Sequence, residues 1–207
     1  DTTASGDKIT FSENLAGSTL ILVQGSITLS TDIVIDGDVN GDSEADITLS
    51  GDSNNNQIAD TGDTRIIDVA ASVNASLSNL FLEGGHDRGA AGSYGADEAL
   101  GSPATSGGDG GDATAVIYNS GTLTLSNITI SNSTAMGGSG GSGGSANIGQ
   151  SGDGGNGGTS SLIHNTSILN VNNVVFDTNE FIGGIGGLAG IANGSQASQG
   201  NTGLYGN

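Results

Sequence analysis

Nine carboxylate residues crowd 33 positions of this 207-residue chain: Asp36, Asp38, Asp42, Glu44, Asp46, Asp52, Asp60, Asp63 and Asp68. Among them, Asp38, Asn40, Asp42 and Asp46 stand at positions 1, 3, 5 and 9 of one turn, and the carbonyl of Glu44 falls at position 7. Oxygen-bearing side chains at alternate positions of a curling loop can aim at one point, and calcium takes roughly six to eight oxygens at about 2.3–2.6 Å. A register starting at Asp36 supplies the same chemistry. The spacing returns at Asp52, Asn54, Asn56 and Asp60, with Ile58 at the carbonyl position, fewer carboxylates and no glycine. Asx-rich turns held by their own side chains have the same composition. Repulsion among nine acids beside a single Arg65 favours a bound cation. We therefore expect calcium on Asp38, Asn40, Asp42, Glu44 and Asp46, and on Asp52, Asn54, Asn56 and Asp60.

Catalytic chemistry has little material. A polysaccharide lyase needs a cation as base or to neutralise a carboxylate, and a glycosidase needs two facing acids among sugar-stacking aromatics. Here three Tyr and four Phe are the only aromatics, Trp is absent, and Lys8, Arg65 and Arg88 are the only Lys or Arg residues. His164 sits beside a turn and His86 in a glycine-rich stretch, neither at a telling spacing from a nucleophile, and no G-x-S-x-G elbow occurs. The stretch GGDGGDATA (107–115) approximates a calcium β-roll nonapeptide, but it is a single copy with Thr114 where a large apolar residue belongs. Thr122 and Thr124 start no ice-binding rank, because the equivalent positions are Asn74/Ser76 and Ile168/Asn170. No enzymatic activity is expected.

The elements that position the acidic turns are set by a repeat. Ala115–Met136 overlays Ser161–Ile182 without a gap at an offset of 46, and Ile67–Leu82 joins at 48. Leu77, Leu125 and Val171 then share a position, as do Leu80, Ile128 and Val174, and the turn residues Asn79, Asn127 and Asn173. Each copy reads as three short strands with alternating inward apolar residues, which cannot bury that face alone and must stack. Asparagines in register predict a side-chain amide ladder. Ile9–Phe11, Thr19–Val23, Ile27–Leu29, Ile33–Ile35 and Ile47–Leu49 read as less regular copies.

Glycine is placed. Residues 84–113, 137–160 and 183–207 hold 31 of the 39 glycines, each stretch beginning directly after the last strand of a copy. GGSGGSGGS (137–145) has the period of a polyproline II turn, and Ile185, Leu188 and Ile191 recur every third residue. A flexible linker is the plain alternative. The stripe favours packed, extended segments forming a second layer on the strands.

The run AVIYNSGTLTLSNITISNSTA, with the openings DKITFSENLAG and DIVIDGDVNGDSEADITLSG, resembles bacterial right-handed parallel β-helix repeat proteins of the polymorphic outer-membrane and large surface-adhesin type. The Asp38–Asp46 turn is similar to the calcium loops of integrin-type propeller repeats, with Ser43 replacing a frequent glycine. The first resemblance implies an all-β, right-handed parallel β-helix, secreted or displayed at the cell surface. Family members carry a helical segment before the first coil, and a further coil belongs after a closing Gly-rich stretch. The chain is therefore expected to be a piece of a longer protein, or a subunit whose open ends are covered by neighbours.

Composition narrows the partners. Twenty-two acids against three bases give a net charge of −19, which excludes a phosphate-contacting nucleic-acid binder. Absence of Cys excludes disulfides and thiolate zinc sites, and no apolar run is long enough to insert into a membrane. The sequons at Asn74, Asn127, Asn132, Asn165 and Asn193 matter only where glycosylation occurs. The expectation is one domain over 1–207, calcium-stabilised, structural or adhesive, capable of head-to-tail self-association through open ends and of contact with a surface ligand or glycan. A carbohydrate-active β-helix enzyme and an adhesin tip using the Gly-rich layer are the alternatives.

Overall fold

Period-two runs of Val, Ile, Leu and Thr become fourteen strands in the computed structural model, which describes residues 6–100, 102–194 and 198–206. Residues 1–5, 101, 195–197 and 207, which fall within the expected domain and partly within the Gly-rich stretches, lie outside the described residues. The strands are β1 (Asp7–Thr10), β2 (Thr19–Ile21), β3 (Ile27–Leu29), β4 (Ile33–Asp36), β5 (Ile47–Ser50), β6 (Ile67–Val69) and β7 (Asn74–Glu83). They continue with β8 (His86–Arg88), β9 (Ala113–Asn119), β10 (Thr122–Ser131), β11 (Thr134–Met136), β12 (Ser160–Asn165), β13 (Ile168–Asp177) and β14 (Glu180–Ile182). One 3-10 turn (Glu13–Leu15) is present, and no α-helix occurs among the described residues. The fold is all-β with parallel sheets. Seven strands pair in the order β1-β4-β7-β10-β13, with β2 beside β5 and β5 beside β7, all parallel. A four-stranded sheet runs β12-β9-β6-β3 and a three-stranded one β14-β11-β8.

The chain divides into two compact units. The first draws on the segments Asp1–Asp87, Thr114–Thr134 and Leu162–Glu180. In β7, β10 and β13 the register reproduces the repeat offsets: Leu77 pairs Leu125 and Leu125 pairs Val171, while Leu80 pairs Ile128 and Ile128 pairs Val174. Strand β6 departs from the expected 48, because Ile67 pairs Ile117, an offset of 117 − 67 = 50. Leu77, Leu80, Leu82, Leu123, Leu125, Ile128 and Ile130 are fully or almost fully buried, each such side chain contributing about 1.5–3 kcal/mol. Within β7, β10 and β13, Asn79, Asn127 and Asn173 take left-handed φ values of 54°, 53° and 53°. Asn tolerates that conformation, so each strand turns a corner at a single residue. The amide ladder is present: Asn173 Nδ2 donates to Asn127 Oδ1 at 2.8 Å, and Asn127 Nδ2 to Asn79 Oδ1 at 3.0 Å. It extends one step further than the repeat alignment, because Asn79 Nδ2 donates to Asp36 Oδ1 at 2.8 Å.

The pairing arithmetic locates the first acidic turn. Ile33 pairs Ala75, an offset of 75 − 33 = 42, whereas Ile47 pairs Leu80, an offset of 80 − 47 = 33. The nine-residue difference arises because the ten residues 37–46 between β4 and β5 stand where Asn79 alone makes the corner in β7.

The second unit comprises Arg88–Ala113, Ala135–Ser161 and Phe181–Asn207. Its backbone bonds every third residue. Gly89, Gly92, Gly95 and Glu98 donate to the carbonyls of Met136, Ser139, Ser142 and Ser145, all at 2.8 Å. Gly137, Gly140, Gly143 and Ala146 donate in the same direction to Ile182, Ile185, Leu188 and Ile191. Gly138, Gly141 and Gly144 donate in the opposite direction to Gly111, Gly108 and Thr105. Glycine here serves closeness: left-handed φ occurs at none of these residues among those described, but a Cβ on Gly141 would overlap the carbonyl oxygen of Ser93. The stripe is real, with Ile185, Leu188 and Ile191 each more than 60% exposed. A turn in this unit is fastened by Glu98, whose carboxylate accepts the amides of Ile148 (2.8 Å), Asn147 (2.5 Å) and Gly149 (3.2 Å). Those bonds, led by that from Ile148, hold Glu98 below the usual carboxylate range.

Candidate metal centre

Loop 37–46 wraps around Asp38. Its Oδ1 accepts the amides of Asn40 (3.2 Å) and Gly41 (2.6 Å), and its Oδ2 accepts that of Ser43 (2.9 Å). Asn40 Oδ1 takes the amide of Asp42, and Asp42 Oδ1 that of Glu44, both at 2.9 Å. Asp46 Oδ2 closes the loop on the amide of Val39 at 3.0 Å. Gly41 and Ser43 supply the two left-handed residues, φ 85° and 67°. This curl brings carboxylate oxygens of Asp38, Asp42 and Asp46 within 4.8 Å of one another. The amides of Ser43 and Gly41, in that order of effect, depress the Asp38 pKa. Among the described residues no ion pair involves any of the three acids: Lys8 bonds Asp36, and Arg65 bonds Asp68 and Asp87. Three converging carboxylates with no counter-charge are a donor set that fits a hard divalent cation. Asn40 and Glu44 are exposed beside them, with the Asn40 oxygen turned to the backbone.

The second loop repeats this path and lacks its charge. Asn55 and Gln57 take the left-handed places, φ 56° and 60°. Asp52 accepts the amides of Asn56 (3.2 Å) and Gln57 (2.6 Å), Asn54 that of Asn56 (3.1 Å), and Asn56 that of Ile58 (2.7 Å). The difference is at position 5. Asn56 Nδ2 donates to Asp60 at 2.7 Å, and Asn54 Nδ2 adds bonds of 3.2 and 3.3 Å. The Asn56 amide thus bonds Asp60 where the first loop has the carboxylate of Asp42. The structure brings Asp52, Asn54, Asn56 and Asp60 into one loop, tied together by the bonds of the two side-chain amides to Asp60.

One cluster was not read from the sequence. Arg65 donates to Asp68 (2.7 Å), to Asp87 (2.8 Å) and to the Thr114 carbonyl (2.8 Å), with its guanidinium 5.4 Å from the Tyr118 ring centre. His164 stacks on Tyr118 at 5.0 Å. Burial works against the Arg65 charge and is outweighed by Asp68 and Asp87, so its pKa is raised. Asp68 also accepts the Ser26 hydroxyl. The alignment of His164 with Tyr118 was the available signal; Arg65 and Asp87 carry no repeat partner. His86 places Nδ1 3.2 Å from the Thr134 carbonyl.

A cleft of about 450 Å³ is lined by Asp52, Asp63, Glu83 and Glu180, with Asn132 and Thr178 between them. Among the described residues its lining contains no aromatic ring and no Lys or Arg. No family model matches the chain, and neither a curated protein nor a solved structure does.

Proposed function

We propose that the chain is a non-enzymatic structural segment of a right-handed parallel β-helix, stabilised by calcium on the loop 37–46 and working outside the cell as part of a surface protein or an extracellular assembly. Support for the coil comes from the parallel register at offsets of 46 and 48 and from the asparagine ladder that follows it. The Gly-rich unit reads as packed polyproline II-like segments, from its three-residue bonding period. The resemblance to polymorphic outer-membrane and adhesin repeats is consistent with this role. Head-to-tail self-association belongs to the same reading.

The single observation that carries the calcium assignment is the unpaired convergence of Asp38, Asp42 and Asp46. Calcium at 100 times its Kd stabilises the folded state by about 2.7 kcal/mol, which for a chain of this size is about 5–10 °C in Tm. Thermal unfolding with calcium and with excess EDTA measures it. Asp42→Asn should abolish the difference while the protein still folds, since Asn56 already occupies the equivalent place. An identical wild-type Tm in calcium and EDTA overturns the assignment.

The cleft favours a second role, contact with a ligand. Carboxylates and amides without cations suit a neutral or amino-bearing glycan. Saturable heat of binding to chitosan oligosaccharides, lost in Glu83→Gln, is the expected result; no heat at any concentration removes this role.

A further inference from the structure

Among the described residues, the seven-stranded sheet has strands at both extremes with one side unpaired: β1 with β2 at one, β13 at the other. Paired residues form columns across it. One is Ile9, Ile35, Leu77, Leu125 and Val171. Another is Leu20, Leu49, Leu82, Ile130 and Phe176. The three middle members of each column are at most 4% exposed, whereas Ile9 is 42%, Val171 56% and Phe176 55% exposed. Both extremes thus show unfinished copies of the same columns, and unpaired parallel edges are templates for pairing.

We infer that a second copy of this chain covers β13, laying its own β1 and β2 parallel to residues 169–177. Its Ile9 then continues the Val171 column and its Leu20 the Phe176 column. The inference rests on the stacked-strand reading above and gives its head-to-tail contact a register. Three observations argue for a copy as the occupant. Through β4 and β5, strands β1 and β2 both trace onto the single strand β7, whose pairing positions β10 and β13 repeat. The two edges therefore share one spacing. Both present aliphatic or aromatic residues at the column ends, so joining them buries apolar surface on each side. The asparagine ladder is also open in the right sense. Its amides donate toward lower residue numbers, leaving Asn173 Oδ1 without a partner among the described residues. The contact is heterologous and does not close on itself, so copies add in a row.

Light scattering on the calcium-loaded protein, at salt high enough to screen the −19 charge, tests this. The mass should rise with concentration from 20.0 kDa through at least a doubling. Ile9→Lys and Val171→Lys should each remain monomeric alone with unchanged circular dichroism, because both positions are already exposed. Phe176→Lys serves in place of Val171→Lys if that variant misfolds. Mixed in equal amounts, the two variants should form two-chain species and nothing larger, since one intact pair of edges remains. A wild-type monomer at every concentration, a variant that dimerises alone, or a mixture that stays monomeric overturns the inference. Calcium-dependent Tm in the same samples reports separately on the metal assignment. A monomer that keeps that dependence removes only the copy-to-copy contact.

Discussion

At the scale of single residues, three asparagines carry two duties that can be separated. Each holds a left-handed corner and each contributes to the amide ladder. Replacing Asn127 by Gly keeps the corner accessible and removes two side-chain bonds, a loss of about 1–3 kcal/mol. Asn127→Ala loses the same bonds and adds about 1–2 kcal/mol for a left-handed Cβ. Denaturant unfolding should therefore rank wild type above Gly and Gly above Ala. Equal stability of Gly and wild type would mean that the ladder contributes nothing. The column Asn79, Asn127, Asn173 was legible in the sequence because the strands around it align without a gap. Its first member, Asp36, was not. Loop 37–46 interrupts the alignment between Asp36 and the strand that pairs with β7, and a carboxylate in place of an amide hid the equivalence. Within that loop the spacing of acids revealed the converging triad. It did not reveal that Asn54 and Asn56 turn their amide nitrogens onto Asp60, because sequence spacing gives positions of oxygens and nitrogens only to within a side-chain flip.

At the scale of elements, the strands were written in period-two hydrophobicity, and the pairing of β7, β10 and β13 followed from the offsets, whereas β6 pairs β9 at an offset of 117 − 67 = 50, two residues beyond the 48 of the alignment. The glycine-rich runs were legible only in part. Their period of three and the Ile185, Leu188, Ile191 stripe argued for order, but composition alone is equally that of a linker. The missing information is backbone proximity, which leaves no trace beyond the absence of a side chain. It can be tested by adding one. Gly141→Ala puts a methyl group against the Ser93 carbonyl, and the neighbouring runs must separate at an expected cost of about 1–3 kcal/mol. Hydrogen exchange should show faster exchange at Gly138, Gly141 and Gly144, while the exposed Ser139→Ala leaves their protection unchanged. Unaltered protection in Gly141→Ala would show that the runs are not held at this spacing.

At the scale of the whole molecule, charge sets the response to acid. Hydrogen bonds hold Asp32, Asp38 and Glu98 below the ordinary carboxylate range; in Asp36, burial opposes this and is outweighed by bonds from Asn79 and Lys8. A depressed folded pKa means that the unfolded chain binds protons first. The stability these groups contribute is full above the ordinary carboxylate range, about pH 4, and is lost as pH falls through the folded values. Tm measured in EDTA should stay level down to about pH 5 and then drop, with a shallower drop in Glu98→Gln. An acid limb identical in that variant would show that the turn at residues 147–149 does not depend on the Glu98 charge. Finally, bonding at every third residue in the glycine-rich unit constrains how its length can change. Removing one residue from 137–146 would rotate every later glycine off its contact and put a side chain there. Removing three would cost the bonds of one turn and restore the pattern. Length variation in such a segment is thus permitted in triplets, so that nine nucleotides, rather than three, is the step by which its gene can lengthen or shorten without loss of the packing.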